Sequence, residues 1–395
     1  MIIPWRRGTV AGHLTDDALS ALTAANWADA TRPPVAWLHW PVDLANPYQS
    51  LIYSRFPAHN LVPIRVRRLD QLDTLLPALP DGVARVLHVH WLYAVTAGSR
   101  TARAAEAAVD RFAAALDDLR DQGVRLVWTV HNVLPHETVH RAAETRLRQV
   151  MLAAADVVHL MHDSHLDRLR EAFGAAPRQV VVAPHPTFVG AYPDWVDRVS
   201  ARSHLGIPLG ARVLVTFGQV RPYKGHGDFL DVLDAAVRLD PRLRWLVAGK
   251  VREEAGGPEF MRRAADHPAV IFHPGFVPDS DVQYYLRAAD AAVYPYRSSL
   301  NSGALALTAG FELPAYVSTG TTVGGLMPDA ALHRFDLTDP DSTAKTIADT
   351  IGGGWTDARP VRDAIRDHVG ALAPARVSDR FAADLRRHLD PLAGA

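Results

Sequence analysis

The stretch Val213-Leu-Val-Thr-Phe-Gly-Gln-Val-Arg-Pro-Tyr-Lys-Gly225 decides how this chain is read. Its first five residues are apolar or β-branched and predict a buried strand. Gly218 follows, where the missing Cβ lets a ligand come close to the backbone. A short loop then carries Arg221 and Lys224, and a helix is predicted from residue 227. Arginine offers a planar fork of donors to phosphate oxygens, and lysine a compact positive charge. The N–H groups at the start of the following helix add to both. Together these parts form a diphosphate site. Two solvated loop cations would give the same letters, and the residues alone divide evenly between the two readings.

Working outward, Tyr294-Pro-Tyr-Arg-Ser-Ser-Leu-Asn-Ser-Gly-Ala304 has the same grammar. A strand at 291–294 leads into a loop in which Asn301 or Ser302 suits an N-cap, and Gly303 opens a helix over 303–310. Taken alone this is an ordinary capped helix. Beside a basic loop in the same domain it favours phosphate binding. Further strands are predicted at 212–217, 244–248, 270–273 and 315–318, separated by helices at 227–239, 258–266 and 279–289. The first half alternates in the same way. Its strands are placed at 35–40, 61–66, 85–91, 125–130, 156–161 and 179–183, and its helices at 46–55, 99–121, 137–155 and 166–173. Alternation of this kind predicts a parallel sheet covered on both faces. Residues 184–200, with Pro184, Pro186, Gly190 and Pro193, read as a linker. The expected class is α/β, with two doubly wound parallel-sheet domains, at 1–195 and 196–372, and a terminal segment at 373–395. Ligands in such sheets sit at the carboxyl ends of the strands, and the cleft between two such domains is the default site.

Composition narrows the function. A length of 395 residues exceeds what one core usually supports, which fits two domains. The net charge of -1 speaks against a nucleic-acid binder held by bulk electrostatics. The absence of cysteine excludes disulfides, thiolate zinc sites and a cysteine nucleophile. No apolar run approaches a membrane span, and the opening residues 1–12 lack the apolar core of a signal peptide, so a cytoplasmic protein is expected.

The run Phe217 to Gly225 resembles the donor loop of glycosyltransferase family 4 and its bacterial relatives. The resemblance extends through Leu246-Val-Ala-Gly-Lys250, Ala289-Asp-Ala-Ala-Val-Tyr-Pro-Tyr-Arg297 and Ser302-Gly-Ala-Leu-Ala-Leu307. In the first half it takes in His88-Val-His-Trp91, Val127-Trp-Thr-Val-His-Asn-Val-Leu-Pro-His-Glu137 and Ala183-Pro-His-Pro186, and so covers roughly residues 36–318. It implies the GT-B fold: an acceptor domain and a nucleotide-sugar domain, both Rossmann-like, facing a central cleft. The terminal helix, expected over 376–389, would cross back to the first domain. The resemblance further implies that Arg221 and Lys224 hold the donor diphosphate and that Gly218 lines the cleft floor. Asn301, Ser302 and Gly303 would cradle the diphosphate from the opposite loop. Gly249, Lys250 and Val277 would meet the nucleoside, and His131 would stand at the transferred sugar as the catalytic residue.

The chain also departs from the family. Relatives often carry two glutamates where this sequence has Ser299 and Leu307, and Glu312 lies nearby but out of register. The glycine-rich loop near the family N-terminus is replaced by His39-Trp-Pro-Val-Asp-Leu-Ala-Asn-Pro-Tyr48. His39, Trp40, Asn46 and Tyr48 of this stretch are assigned to the acceptor. The implied reaction moves a hexose-type sugar from a nucleoside-diphosphate donor to a hydroxyl of a saccharide, glycolipid or small metabolite. Retention of configuration, no metal and no other cofactor are expected. An inverting reaction would need a carboxylate at the acceptor hydroxyl, for which Asp43, Glu137 and Asp163 are candidates. The expected partners are the donor and the acceptor, with peripheral contact at the inner face of a membrane and no nucleic acid.

Other readings are carried alongside. One is a noncatalytic GT-B protein that binds a nucleotide sugar, which the missing glutamates favour. A second is a phosphorylase or sugar-phosphate epimerase of the same fold. A third is a zinc peptidase using His136-Glu-Thr-Val-His140, which would need both histidines on one helix face and a third ligand. The chain holds 19 histidines, so such a match also arises by composition. His88 and His90 are read as pointing to opposite faces of their strand, at least one of them a packed core histidine. His131 ends a buried strand, where the site residues of such sheets project. His185 reads as hinge packing.

Overall fold

The computed structural model describes residues 10–28, 33–134, 139–251, 257–323 and 325–389, and within the first helix the side chains of 14–25. The chain divides into two compact units, 1–183 with 375–395, and 184–374.

Each unit is built on one six-stranded sheet in which every pairing is parallel. The first contains β1 (Val35–Trp40), β2 (Leu61–Arg65), β3 (Ala84–Val89), β4 (Val124–Thr129), β5 (Val157–Leu160) and β6 (Val180–Val182), in the order β2-β1-β3-β4-β5-β6. The second contains β7 (Arg212–Phe217), β8 (Leu243–Gly249), β9 (Val270–Pro274), β10 (Ala291–Tyr294), β11 (Ala315–Ser318) and β12 (Leu332–Phe335), in the order β12-β11-β10-β7-β8-β9. Strands β1 and β10 are buried along their whole length, as runs of Val, Ala, Leu, Trp and Tyr covered on both faces must be. In the second sheet the strand order reverses between β7 and β10. A crevice opens at the carboxyl ends of the strands at such a point.

The second core gathers around Trp245, Phe229, Leu233 and Ile347, all fully buried. Residues 184–200, read as a linker, fold onto this unit. Gln283 Oε1 accepts from the backbone N–H of Trp195 at 3.1 Å and of Val196 at 3.3 Å, and Arg198 and Arg202 both pair with Asp290 at 2.9 Å. Several elements had no sequence forecast: helices Val10–Ala28, Leu72–Ala78, Pro340–Gly352 and Arg359–Ala371, and strand β12. Strand β12, Leu-His-Arg-Phe, lies at a sheet edge with only Phe335 buried, so no apolar run announces it. The helix expected over 46–55 is confined to Tyr48–Ile52.

The terminal helix Pro374–Leu389 belongs to the first unit. Phe381 is fully buried, its ring centroid 4.2 Å from that of His159 and 5.7 Å from that of Phe56. Arg386 donates from Nε to the His59 carbonyl at 2.8 Å and from Nη2 to the Asn60 carbonyl at 2.9 Å. Phe381→Ala is expected to destabilise the first unit by about 3–5 kcal/mol in urea unfolding, the usual scale for deleting a buried phenyl ring. Asp379→Ala removes only the half-exposed partner of His59, and the expected change stays within about 0.5 kcal/mol.

Candidate functional site

The residues that the sequence singled out in the second unit stand at the carboxyl edge of one sheet. Gly218, Arg221 and Lys224 follow β7, Gly249 and Lys250 end β8, Val277 follows β9, and Asn301, Ser302 and Gly303 follow β10. Strand β7 lies between β10 and β8, so its loop is at the reversal point with one group on each side. Two glycines let these loops close on one another. A Cβ on Gly249 (φ 145°) would stand 2.1 Å from the Gly218 carbonyl oxygen, and one on Gly225 (φ 64°) would stand 2.0 Å from that of Pro295. Backbone bonds join the same loops: Val220 donates to the Lys250 carbonyl at 3.0 Å, and Arg297 to that of Tyr223 at 2.8 Å. The Arg297 side chain binds Asp228 in a fork at 2.7 and 2.8 Å, so its charge is already matched.

Lys224 is the exception to such matching. It is 9% exposed, its Nζ lies 5.4 Å from the centroid of the Tyr296 ring, and no carboxylate pairs with it among the described residues. Burial, aided by the positive charge of Arg221, lowers its pKa from 10.5 to about 7. Arg221 is half-buried and donates from Nε and Nη2 to Gln219 Oε1 at 2.9 and 2.8 Å. Opposite, Ser302 caps helix Gly303–Gly310, its Oγ accepting from the Leu305 N–H at 3.1 Å, while Asn301 is half-buried. Lys250 is exposed and Val277 half-buried. Ser299 and Leu307, which stand where relatives carry glutamates, are both buried. The Ser299 hydroxyl has no hydrogen-bond partner among the described residues. Glu312 does not fill the gap, because its carboxylate accepts from Arg366 at 3.3 Å. His185 is buried in this unit, and its Nδ1 donates to the Pro186 carbonyl at 2.7 Å. Burial lowers its pKa to about 4.

In the first unit His131 follows the end of β4. Its ring stacks on Trp91 at 4.5 Å and 25°, meets the edge of Tyr48 at 5.1 Å, and brings Nε2 within 3.2 Å of His90 Nδ1. The loop beyond it is tied down by buried Arg148, whose Nε donates to the Val133 carbonyl at 2.8 Å while Nη1 pairs closely with Glu144.

Three readings of the sequence need correction here. His88 and His90 share one face, with ring centroids 4.3 Å apart, because residues two apart on a strand point the same way. The stretch 39–48 is not an open acceptor loop: His39, Trp40 and Tyr48 are buried, and burial lowers His39 to a pKa of about 3. Asn46 is half-buried, and its Oδ1 accepts from the Tyr48 N–H at 3.0 Å. The aromatic residues of this stretch therefore pack the first unit, Tyr48 against His131. In the zinc motif, His136 and Glu137 lie outside the described residues. His140 precedes helix Arg141–Ala154, and its Nε2 donates to the Ser99 carbonyl at 3.0 Å, which removes that nitrogen as a ligand. Sequence reasoning missed Gly225, which seals the two loops of the second unit, and Tyr296 beneath Lys224. Gly225 directly follows Lys224, and that position was its only signal.

Residues 211–351 match the profile of the family described as glycosyl transferases group 1. A D-inositol 3-phosphate glycosyltransferase of Corynebacterium efficiens is 26% identical over 262 residues, covering 61% of each chain. A GDP-mannose:glycolipid 4-beta-D-mannosyltransferase of Xanthomonas campestris is 24% identical over 314 residues, which are 78% of this chain and 74% of that protein. The chain thus spans 61% or less of the inositol phosphate glycosyltransferases it matches. Among solved structures, sucrose-phosphate synthase from Thermosynechococcus elongatus superposes with a TM-score of 0.64 at 17% identity, over 91% of this chain and all (100%) of that one. HepE of Anabaena in complex with UDP-glucose superposes with a TM-score of 0.65 at 13% identity, over 89% of this chain and 99% of that one. The fold is therefore GT-B.

The pKa of Lys224 sets the sign of a stability effect. In the unfolded chain the amine holds its proton up to its ordinary 10.5, in the native protein only up to about 7. Between these values the unfolded state binds more protons, so this group's contribution to stability rises with pH and its cost is full below the native value. Lys224→Met is expected to raise the thermal midpoint of the ligand-free protein at neutral and lower pH and to weaken that rise. A midpoint lowered at every pH would mean that the native ammonium has a partner.

Proposed function

With residues 211–351 belonging to the group 1 glycosyl transferases, we propose that the chain is an enzyme that moves a hexose-type sugar from a nucleoside diphosphate to a hydroxyl acceptor. The observation that carries this reading is Lys224, a buried cation that no carboxylate among the described residues pairs with, set beside Arg221 at the point where the strand order of the second sheet reverses. A diphosphate would supply the missing negative charge. As the bond from C1 of the sugar to the diphosphate oxygen breaks and the bond to the acceptor oxygen forms, negative charge grows on the leaving group. Fixed donors are worth most there. Arg221 and Lys224 would hold the two phosphates, with Asn301, Ser302 and Gly303 on the other side and Gly249, Lys250 and Val277 toward the nucleoside.

In this reading His131 acts at the sugar and the Ser299 hydroxyl takes a sugar hydroxyl in place of the longer glutamate. Because side-chain cations serve the leaving group, the reaction proceeds without a metal. We favour retention of configuration. The acceptor classes are a saccharide, a glycolipid or a small metabolite. The names of the Corynebacterium and Xanthomonas relatives point to phosphorylated cyclitols and glycolipids, acceptors of two of these kinds. We place the protein in the cytoplasm, with a glycolipid acceptor reached at the inner face of the membrane. A noncatalytic nucleotide-sugar binder is the second reading, favoured by Ser299 and Leu307 where relatives carry carboxylates.

UDP, GDP, ADP and dTDP, each with and without EDTA, form the first screen by thermal shift. One of them is expected to stabilise the protein by about 2.7 kcal/mol at a hundredfold excess over its Kd, with no effect of EDTA and with loss of the shift in Arg221→Ala and Lys224→Ala. Release of that diphosphate from its sugar conjugate, in the presence of saccharide, glycolipid or cyclitol acceptors, separates the enzyme from the binder. No stabilisation by any of the four would contradict the proposal.

A further inference from the structure

Lys224 Nζ has neighbours on both of the loops that meet at the reversal point of the second sheet. A Cβ on Gly218 would stand 3.7 Å from it, so the ammonium lies over bare backbone at the end of β7. The Tyr296 ring, from the loop after β10, has its centroid 5.4 Å away. The charge of Arg221 opposes the ammonium. His226 is buried, and burial together with the charge of Lys224 lowers its pKa to about 3, so its ring is neutral where Lys224 titrates. Asp228 is held in the fork of Arg297 at 2.7 and 2.8 Å, and no carboxylate among the described residues pairs with Lys224. Of these groups only the Tyr296 ring attracts a cation. An aromatic face carries partial negative charge, and its pull on a cation grows where water is excluded.

The ring itself is held firmly. Tyr296 is buried, and its ring centroid lies 6.0 Å from that of Tyr223 and 5.5 Å from that of Tyr294. The Tyr294 hydroxyl donates to the Ala304 carbonyl at 3.0 Å, which anchors that neighbour. The Tyr296 carbonyl accepts closely from the Ser318 hydroxyl, and its own hydroxyl bonds to the side chain of Ser302. Burial, with the neighbouring Tyr294 and Tyr223, pushes the phenol well above its ordinary 10. The ring therefore bears no charge of its own over the range in which Lys224 titrates.

We infer that Tyr296 is a positioning residue whose ring face holds the ammonium form of Lys224 in place for an anionic ligand. Without the ring, the same burial and the same repulsion from Arg221 would drive the proton off more readily. The identity of the anion as a diphosphate rests on the proposed function. The charge of Lys224 is read with no ligand present.

The chain contains three lysines, Lys224, Lys250 and Lys345, so NMR of the full chain labelled with 13Cε-lysine resolves each one. Lys224 is assigned by its loss in Lys224→Met, and the exposed Lys250 and Lys345 serve as internal references. The native midpoint of Lys224 is expected at about 7. In Tyr296→Leu it is expected to fall by about 0.5–1.5 pH units, the scale of a desolvated cation over an aromatic ring. Tyr296→Phe keeps the face and should stay close to the native midpoint. Tyr296→Phe carrying three and then five ring fluorines drains the face with almost no change of shape, and should lower the midpoint stepwise. These variants stand in should Tyr296→Leu fold poorly. Inorganic pyrophosphate, titrated by calorimetry, gives the second readout. At pH 8 its Kd is expected to rise about three- to thirtyfold in Tyr296→Leu, and at pH 5.5 to stay within about twofold of native, because the amine is then largely protonated in both. A midpoint unchanged or raised in the folded leucine and fluorinated variants would overturn the role of Tyr296. Binding weakened equally at both pH values would also overturn it, leaving Tyr296 as packing alone. A midpoint that falls as expected in a protein that binds no pyrophosphate would uphold Tyr296 as the partner of the ammonium and overturn the diphosphate reading instead.

Discussion

A positive charge buried with no counter-charge among the described residues organises the second unit. Lys224 is held against Tyr296 by a loop that Gly225 presses onto Pro295 and that Arg297 ties to Tyr223. Among the described residues of this unit other arginines have carboxylate partners: Arg202 pairs with Asp290, Arg297 with Asp228 and Arg287 with Asp194. Taking an ammonium out of water costs several kcal/mol unless something returns that energy. The protein lowers the cost by lowering the pKa, which leaves the amine part-neutral near pH 7. An arriving diphosphate would restore the proton and the charge together. Donor binding and protonation of Lys224 are thus two sides of one equilibrium in the proposed function.

The first unit holds its key group by the opposite means. His131 is stacked on Trp91, edged by Tyr48 and hydrogen-bonded to His90, while Arg148 fixes the loop beyond it. The terminal helix contributes Phe381 to the same core, its ring against His88 and His159, so the last element of the chain supports residues near its beginning. Burial pushes His88 and His90 far below the usual histidine range, which favours their neutral forms.

Much of this was legible in the sequence, and the reason differs from place to place. Strands such as Val213–Phe217 are apolar runs between turn residues, and the basic loop is contiguous with its strand, so periodicity and local chemistry reach both. The repeated alternation gave the two parallel sheets for the same reason. The hydrogen bonds that link Ala183, His159, Thr129, His88, Tyr53, His90 and His131 escaped because these residues come from four strands or their ends and from the end of one short helix, and only the sheet order brings them together. Trp40 and Tyr48 were misread because an aromatic side chain that meets a sugar and one that fills a core look alike in sequence. Edge strand β12 and the two helices that precede the terminal one escaped because their apolar positions are sparse.

The central claim is that Lys224 is completed by a diphosphate, and calorimetry near pH 8 tests it most directly. Binding of the stabilising nucleoside diphosphate is measured in buffers of different ionisation enthalpy. With a free pKa of about 7, uptake of close to one proton per ligand is expected, falling to near zero in Lys224→Met if binding survives there at all. Tight binding to the native protein with no proton uptake would contradict the account, because the buried amine would then not be what the diphosphate meets.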